Sequence, residues 1–392
     1  MRILHAIPSL AVRHGGPPKA VTELCRELAR RGEEVAIYTT NIDGRGRLHV
    51  PFNRPLRMAD HLEVRYFRVV LPGLFGFSPD FARTLRATIK DYDIVHIHSL
   101  YRFTSTVAAR YSRDTGVPYI VRPHGTLDPF IFCRHRRMKW IYEAMFERRN
   151  LEAASAVHFT AVEEMKLAQS SGIRFRGVVV PLGVNVDPGG KERNAEGLNQ
   201  RWPETRGRKT ILYLGRLNFK KGLDILVKAF GKVARTGDDV HLLIAGPDDE
   251  GYGHKVARWL SAEGVLDRTT FTGMLVGRDK MIALQGADAF VLSSYSENFG
   301  IAVVEAMAAG LPVVISNRVN IWREVAESKA GLVVDCCAQQ LAAAISSLLA
   351  NSSLRADLSY AGRALAAERF TWTAAGQKMI EVYREIVASY AH

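Results

Sequence analysis

The chain reads as an α/β protein built from two doubly wound, mainly parallel sheets in tandem. Three observations predict this. Short apolar runs alternate with helix-spaced stretches from one end to the other. The runs are continuously apolar, as in strands covered on both faces. A polar interruption at 187–209, DPGGKERNAEGLNQRWPETRGRK, contains Gly and Pro and splits the pattern in two.

Taken in order, the first half offers strands at 3–8, 34–40, 63–70, 94–98, 119–123, 156–160 and 178–181. Amphipathic stretches at 20–31, 79–92, 104–115 and 138–153 lie between them. In the first, Val21, Leu24, Cys25 and Leu28 repeat at helical spacing. After the interruption, strands are expected at 210–214, 241–245, 270–272, 289–292, 312–315 and 332–334, and a closing helix at 373–390. The expected organisation is therefore a first domain at 1–186, a linker at 187–209, a second domain at 210–372 and a terminal helix at 373–392. Ligands are expected at the carboxyl ends of the parallel strands and between the domains.

The formal charge is +13. It is uneven: residues 1–186 hold 28 Lys/Arg against 17 Asp/Glu, a surplus of 11, and the remainder holds 25 against 23. A basic first half attracts nucleic acid, anionic lipid or phosphorylated small molecules. No run is apolar and long enough to span a bilayer, and MRILHAIPSL turns polar too early for a secretory signal. Cys25, Cys133, Cys336 and Cys337 form no paired framework. A cytoplasmic protein is expected, with a possible peripheral site on the inner membrane face. Around 132–149, six cations (Arg134, Arg136, Arg137, Lys139, Arg148, Arg149) accompany Trp140, Ile141, Met145 and Phe146. That stretch and the apolar loop 71–77 (LPGLFGF) read either as an interfacial surface or as ordinary core with a solvated basic face.

The strongest chemical signal is SSYSENFGIAVVEAMAAG at 293–310, directly after a strand. Glu297 falls in the loop at the strand's carboxyl end. Asn298 is the expected N-cap of a helix at 299–309, stopped by Gly310. The amides at a helix start attract phosphate or hydroxyl oxygens, and carboxylates at Glu297 and Glu305 can accept hydrogen bonds from vicinal diols. Arg216 and Lys221, beyond strand 210–214, can clamp a diphosphate and offset its growing charge as it leaves; Lys220 competes with its neighbour for that role. Gly15 and Gly16 follow the first strand, where Gly16 allows close backbone approach to a phosphate. His124, in PHGTLDP, follows strand 119–123, with Asp128 four residues on to orient it or to make a turn. His96 and His98 share a strand face, and their spacing suggests no third metal ligand. Asp91–Tyr92–Asp93 is a D-x-D, a metal-binding pattern, but it sits at the amino end of its strand and reads as a surface turn.

These segments together resemble glycosyltransferase family 4. ENFGIAVVE is similar to its E-x7-E signature, GRLNFKKGLDIL (215–226) to its Gly-Arg…Lys-Gly segment, PHGTLDP (123–129) to its His-Gly loop, and PLGVN (181–185) to its entry into the second domain. The Gly15–Gly16 pair and FTW at 370–372 also match. The resemblance implies the GT-B fold, two Rossmann-like domains with the terminal helix crossing back to the first. It implies a retaining, metal-independent hexosyltransferase that uses a UDP- or GDP-linked sugar. Arg216 and Lys221 would bind the phosphates, and Glu297 the sugar hydroxyls. Glu305 would hold the ribose diol, Phe299 and Gly300 would offer amides beside Asn298, and His124 would stand near the sugar and the leaving phosphate. A lipid-linked saccharide acceptor for bacterial surface polysaccharide is the expected partner, with no cofactor.

Other readings of the residues are a glycogen-synthase-type glucosyltransferase, a nucleotide-sugar epimerase, a nucleotide-dependent oxidoreductase or a nucleic-acid binding protein. Neither domain's first turn carries G-x-G-x-x-G, which opposes the oxidoreductase. No nucleic-acid module is visible.

Overall fold

The computed structural model describes residues 1–11, 15–44, 46–70, 75–129, 142–186, 193–236 and 239–390. The chain divides into two compact units, Met1–Gly183 with Trp372–His392, and Val184–Thr371.

The first unit is built on an eight-stranded sheet. Its strands are β1 (Arg2–Ser9), β2 (Glu34–Thr40), β5 (Pro55–Ala59), β6 (Leu62–Phe67), β7 (Ile94–His98), β8 (Tyr119–Arg122), β9 (Ala156–Phe159) and β10 (Gly177–Val179). The two-residue strands β3 (Ile42–Asp43) and β4 (Gly46–Arg47) form a separate small hairpin. The order across the large sheet is β10-β9-β8-β7-β1-β2-β6-β5. All neighbours are parallel except β5, which pairs antiparallel with β6 at the edge. The sequence pattern misses β5. It opens on Pro55, and its alternating Leu56 and Met58 are only half-buried, so the apolar pattern is too short to mark it.

Registers put His5 beside His96 and His98 beside Arg122. Since side chains alternate across a strand, the sheet has two unlike faces. Leu4, Ala6, Val95, Ile97, Tyr119, Val121, Val157 and Phe159 share one apolar core cluster. The intervening residues His5, His96, His98, Arg122 and His158 are buried too. The helix Trp372–Tyr390 serves this polar side: Tyr383 lies against His96, with its hydroxyl 2.6 Å from Nδ1.

The second unit has six parallel strands: β11 (Lys209–Leu214), β12 (Val240–Ala245), β13 (Thr269–Gly273), β14 (Ala289–Leu292), β15 (Val313–Ser316) and β16 (Gly331–Val334). Their order is β13-β12-β11-β14-β15-β16. This is the doubly wound arrangement whose connections reverse direction between its two central strands. All six residues of β12 are buried, and the helix Leu223–Arg235 turns Leu223, Leu226, Phe230 and Val233 inward. At about 1.5–3 kcal/mol per fully buried large apolar side chain, such layers supply the main stabilisation.

The stretch 187–209 is more than a linker. It holds the helix Ala195–Arg201, capped by the Asn194 side chain, which accepts from the Gly197 N–H at 2.8 Å. Leu198 and Trp202, four residues apart, are both buried. Two apolar side chains on one face anchor this short helix within a polar sequence. Among the described residues, no helix is long and apolar enough to cross a membrane.

Candidate functional site

In a doubly wound sheet, the crevice beyond the carboxyl ends of the strands at the direction reversal is the natural ligand position. In the second unit that position lies between β11 and β14. The loop after β11 carries Arg216 and Lys221, and the loop after β14 carries Glu297. Backbone bonds lash these loops together. The Tyr295 N–H donates to Lys220 O at 2.7 Å, and Ser293 Oγ donates to Gly222 O at 2.8 Å. Gly222 has φ +60°, and a Cβ there would stand 2.0 Å from Ser293 O. Only glycine permits that approach.

The result is an ion pair across the reversal, in which the Lys221 ammonium donates to the Glu297 carboxylate. Of the two adjacent lysines, the Lys221 side chain meets Glu297, while Lys220 contributes its carbonyl to Tyr295. Glu297 is further fixed by its backbone, whose N–H donates to Arg318 O and whose carbonyl accepts from the Asn320 N–H, both at 3.0 Å. The exposed Arg216 side chain lines a small recess with Leu217, Asn218, Pro247, Asp249 and Glu250. Tyr213 lies beneath, its hydroxyl donating to Arg216 O at 2.9 Å. Burial, then the nearby Glu297 charge, pushes the Tyr213 phenol well above its ordinary range.

The helix after Glu297 runs Ile301–Ala308, and its N-cap is Gly300 at φ +78°. The expected cap at Asn298 is thus corrected. Gly300 reaches the left-handed region that Asn tolerates less well, so the chain turns into the helix two residues later. Phe299 is buried, its ring edge-on to Phe370. The Val303 N–H donates to Gly300 O at 2.8 Å, while the N–H groups of Ile301 and Ala302 have no acceptor within the helix and suit an anionic ligand. Glu305 is held from outside that helix by Lys280, at 2.7 Å. Sequence reasoning missed Lys280, because its partner lies on another element.

In the first unit, the reversal lies between β1 and β7. Gly15, φ +74°, caps the helix Gly16–Arg30. A Cβ at Gly16 would meet nothing within 4 Å, so the described protein does not itself demand glycine there. His98 ends β7, and His124 follows β8. Three non-glycine residues in these loops, Ser99 (φ 72°), Tyr101 (φ 58°) and His124 (φ 53°), adopt left-handed backbone, at a cost of about 1–3 kcal/mol each. Buried carboxylates fasten the loops. Glu147 accepts from the Tyr101 N–H at 2.6 Å. Glu164 accepts from the Gly125 N–H at 3.2 Å and from Thr160 N–H and Oγ at 2.7 Å. Burial lifts Glu147 to about 7 and raises Glu164 as well. Both escaped the sequence reading, since each bonds a backbone distant in sequence or hidden in a loop.

The imidazoles form two hydrogen-bonded chains. His5 Nδ1 lies 3.0 Å from His98 Nε2, and His98 Nδ1 lies 3.3 Å from His124 Nε2. His158 Nε2 lies 2.8 Å from Val180 O, and its Nδ1 lies 3.4 Å from His96 Nε2. Burial, reinforced by neighbouring charges including Arg122, holds all five rings below their ordinary basicity. His5 and His158 fall to about 3, and His96, His98 and His124 lie well below the usual range. Nitrogens of His5, His96 and His98 lie within 4.8 Å of one another, a grouping three metal ligands could share. The expectation that His96 and His98 lack a third partner is therefore corrected: His5 arrives from the adjacent strand through register, which residue spacing does not reveal. Asp93, from the D-x-D, accepts from the Arg2 N–H at 2.7 Å at the opposite, amino edge of the sheet.

Near the β6–β7 connection, Phe75, Phe77, Met145 and Phe146 are exposed. Phe75 and Phe77 contact the Phe103 ring, and Tyr142 bridges Phe75 to Phe146. Residues 71–74 and 130–141, which include most of the expected interfacial segments, lie outside the described residues.

Residues 196–365 match the family model for glycosyl transferases group 1, and residues 15–183 match that for a glycosyl transferase 4-like domain. A phosphatidyl-myo-inositol mannosyltransferase of Mycobacterium leprae is 34% identical over 215 residues, covering 54% of each chain. The chain thus spans about half the length of that relative. A GDP-mannose:cellobiosyl-diphosphopolyprenol alpha-mannosyltransferase of Xanthomonas campestris is 26% identical, with 86% of this chain and 83% of that protein aligned. Among solved structures, sucrose-phosphate synthase from Thermosynechococcus elongatus superposes with TM-score 0.81 at 22% identity, over 99% of this chain and 100% of that one. HepE of Anabaena, in complex with UDP and glucose, gives 0.75 at 19% identity over 98% and 100%.

Proposed function

From the premise that the chain belongs to glycosyltransferase family 4 and has the GT-B fold, we propose that it moves a hexose from a UDP- or GDP-sugar to a saccharide acceptor with retention at the anomeric carbon. The observation that carries this reading is the Lys221–Glu297 pair at the direction reversal of the second sheet, beside the open helix start at Gly300. One cation and one carboxylate, fixed by backbone bonds, suit a ligand that offers phosphate and hydroxyls at adjacent positions. Lys221 and Arg216 take the diphosphate, and Glu297 the sugar hydroxyls. Glu305, steadied by Lys280, takes the ribose diol.

The reaction exchanges two bonds at one carbon. The acceptor oxygen attacks the anomeric carbon from the face that the diphosphate leaves. The carbon–oxygen bond to the β-phosphate breaks, and the acceptor's proton passes to the departing phosphate oxygen. The cations and helix amides stabilise the charge that develops there. His124 attends the transferred sugar, and no divalent metal is required. Mannosyl transfer to lipid-linked acceptors in two relatives favours a lipid-linked acceptor here, with the exposed Phe75–Met145 patch resting on an anionic membrane surface.

The test is transfer from labelled nucleotide sugars to polyprenyl-linked acceptors in excess chelator, with the anomeric configuration of the product read by NMR. Product of retained configuration supports the reading. Metal-dependent transfer, or inversion, removes the proposed mechanism. Co-sedimentation with phosphatidylglycerol vesicles, reduced about tenfold in a Phe75→Ser/Met145→Ser variant, tests the membrane contact; equal sedimentation of both proteins contradicts it.

A further inference from the structure

The imidazole chains raise a question of proton placement that hydrogen-bond rules can answer. A neutral imidazole has one N–H and one lone pair. His5, His98 and His124 are joined by two bonds, so just two arrangements satisfy both. Either all three rings carry the proton on Nδ1, or all three carry it on Nε2.

His5 Nε2 decides between them. It is fully buried and has no hydrogen-bonding partner among the described residues. An orphaned buried N–H is rarer and costlier than an unused lone pair. The Arg122 guanidinium nearby also favours a lone pair over a hydrogen at His5. The protons therefore lie on Nδ1 throughout. His5 donates to His98, His98 donates to His124, and His124 keeps an Nδ1–H to offer elsewhere.

The other chain runs by a different rule to a different tautomer. Val180 O can only accept, so His158 carries its proton on Nε2 and accepts from His96 Nε2 at its own Nδ1. The remaining His96 lone pair accepts from the Tyr383 hydroxyl. His96 then has no lone pair left, and that of His98 is taken by His5. Two bonds, Tyr383 to His96 and His5 to His98, would break before a metal ion could sit among His5, His96 and His98.

We infer that His5 and His98 are positioning residues that hold His124 in its Nδ1–H tautomer, making it a neutral hydrogen-bond donor to the oxygen-rich substrate instead of a base. This rests on the proposed role of His124 at the transferred sugar. It also agrees with a reaction whose proton goes to the leaving phosphate, since a donor histidine leaves that task unfilled.

Long-range proton–nitrogen correlation on the full chain labelled with nitrogen-15 histidine reads each tautomer directly. Expected are Nδ1–H for His5, His98 and His124, and Nε2–H for His96 and His158. An Nε2–H signal from His124 overturns the inference, and needs no variant to be seen. In transfer assays, His98→Leu is expected to mix the His124 tautomers and lower kcat by about tenfold to a hundredfold, with donor KM moving less. His98→Asn, whose amide N–H replaces Nδ1–H, recovers most of that loss. Equal kcat for the two variants overturns the inference. If the tautomers are as expected but His124→Gln transfers sugar at the wild-type rate, the reading of His124 in the site fails, and the positioning role falls with it.

Discussion

The two sheets share the order of their central parallel strands and have opposite chemistry at the carboxyl ends of those strands. At the reversal of the second sheet, Lys221 faces Glu297 and Lys280 holds Glu305, so the edge is built of compensated charge. At the first, four buried imidazoles and the half-buried His124 share hydrogen bonds near one buried arginine, and burial holds the rings below their ordinary basicity. Ionic partners suit the diphosphate and its diols. Neutral, tautomer-fixed donors suit an uncharged sugar, where a full charge would be costly to bury.

The widest separation between the two edges is expected in acid. The five imidazoles of the first unit have lowered folded values, whereas unfolded histidine titrates near 6.5. Below that pH the unfolded chain takes up protons that the folded one refuses. The stabilisation is therefore complete above about 6.5 and is lost as pH falls toward about 3. Glu147 and Glu164, both raised by burial, act in the opposite direction. Five rings against two carboxyls leave a net loss of stability as the pH falls. Calorimetry at stepped pH is expected to show the first unit melting earlier while the second changes little; parallel shifts of both would erase the contrast.

Next in size is Lys221→Ala. It removes the cation proposed to bind phosphate and strands Glu297, and kcat/KM is expected to fall about 10²–10³-fold. Retention of full turnover would break the assignment of the ionic edge. Glu305→Ala is expected to weaken nucleoside diphosphate binding about tenfold, and to do so less for the 2′-deoxy nucleotide. Lys280→Ala, which removes one partner of Glu305 without deleting it, is expected to cost about threefold. An effect of Lys280→Ala exceeding that of Glu305→Ala would mean that Lys280 touches the donor itself.

Much of the fold was legible in the sequence because buried parallel strands are continuous. Ile94–His98 and Ala289–Leu292 were readable to the residue, each an unbroken buried run. The edge strand Pro55–Ala59 and the helix Ala195–Arg201 were not, since one only half-buries Leu56 and Met58 and the other depends on Leu198 with the adjoining Trp202. Within the site, strand-end loops pointed to Arg216, Lys221, Glu297 and His124. Partners supplied by register or by another element did not show. His5 meets His98 only because β1 lies beside β7, and Lys280 meets Glu305 only in the folded unit.

The most direct measurement is titration calorimetry of the full chain with UDP- and GDP-sugars in excess chelator, for the wild type and for Lys221→Ala. Micromolar binding of at least one donor, weakened about a hundredfold by the substitution, is the expected result. Failure of every nucleotide sugar to bind, or identical affinity for both proteins, would contradict a diphosphate site at the Lys221–Glu297 pair.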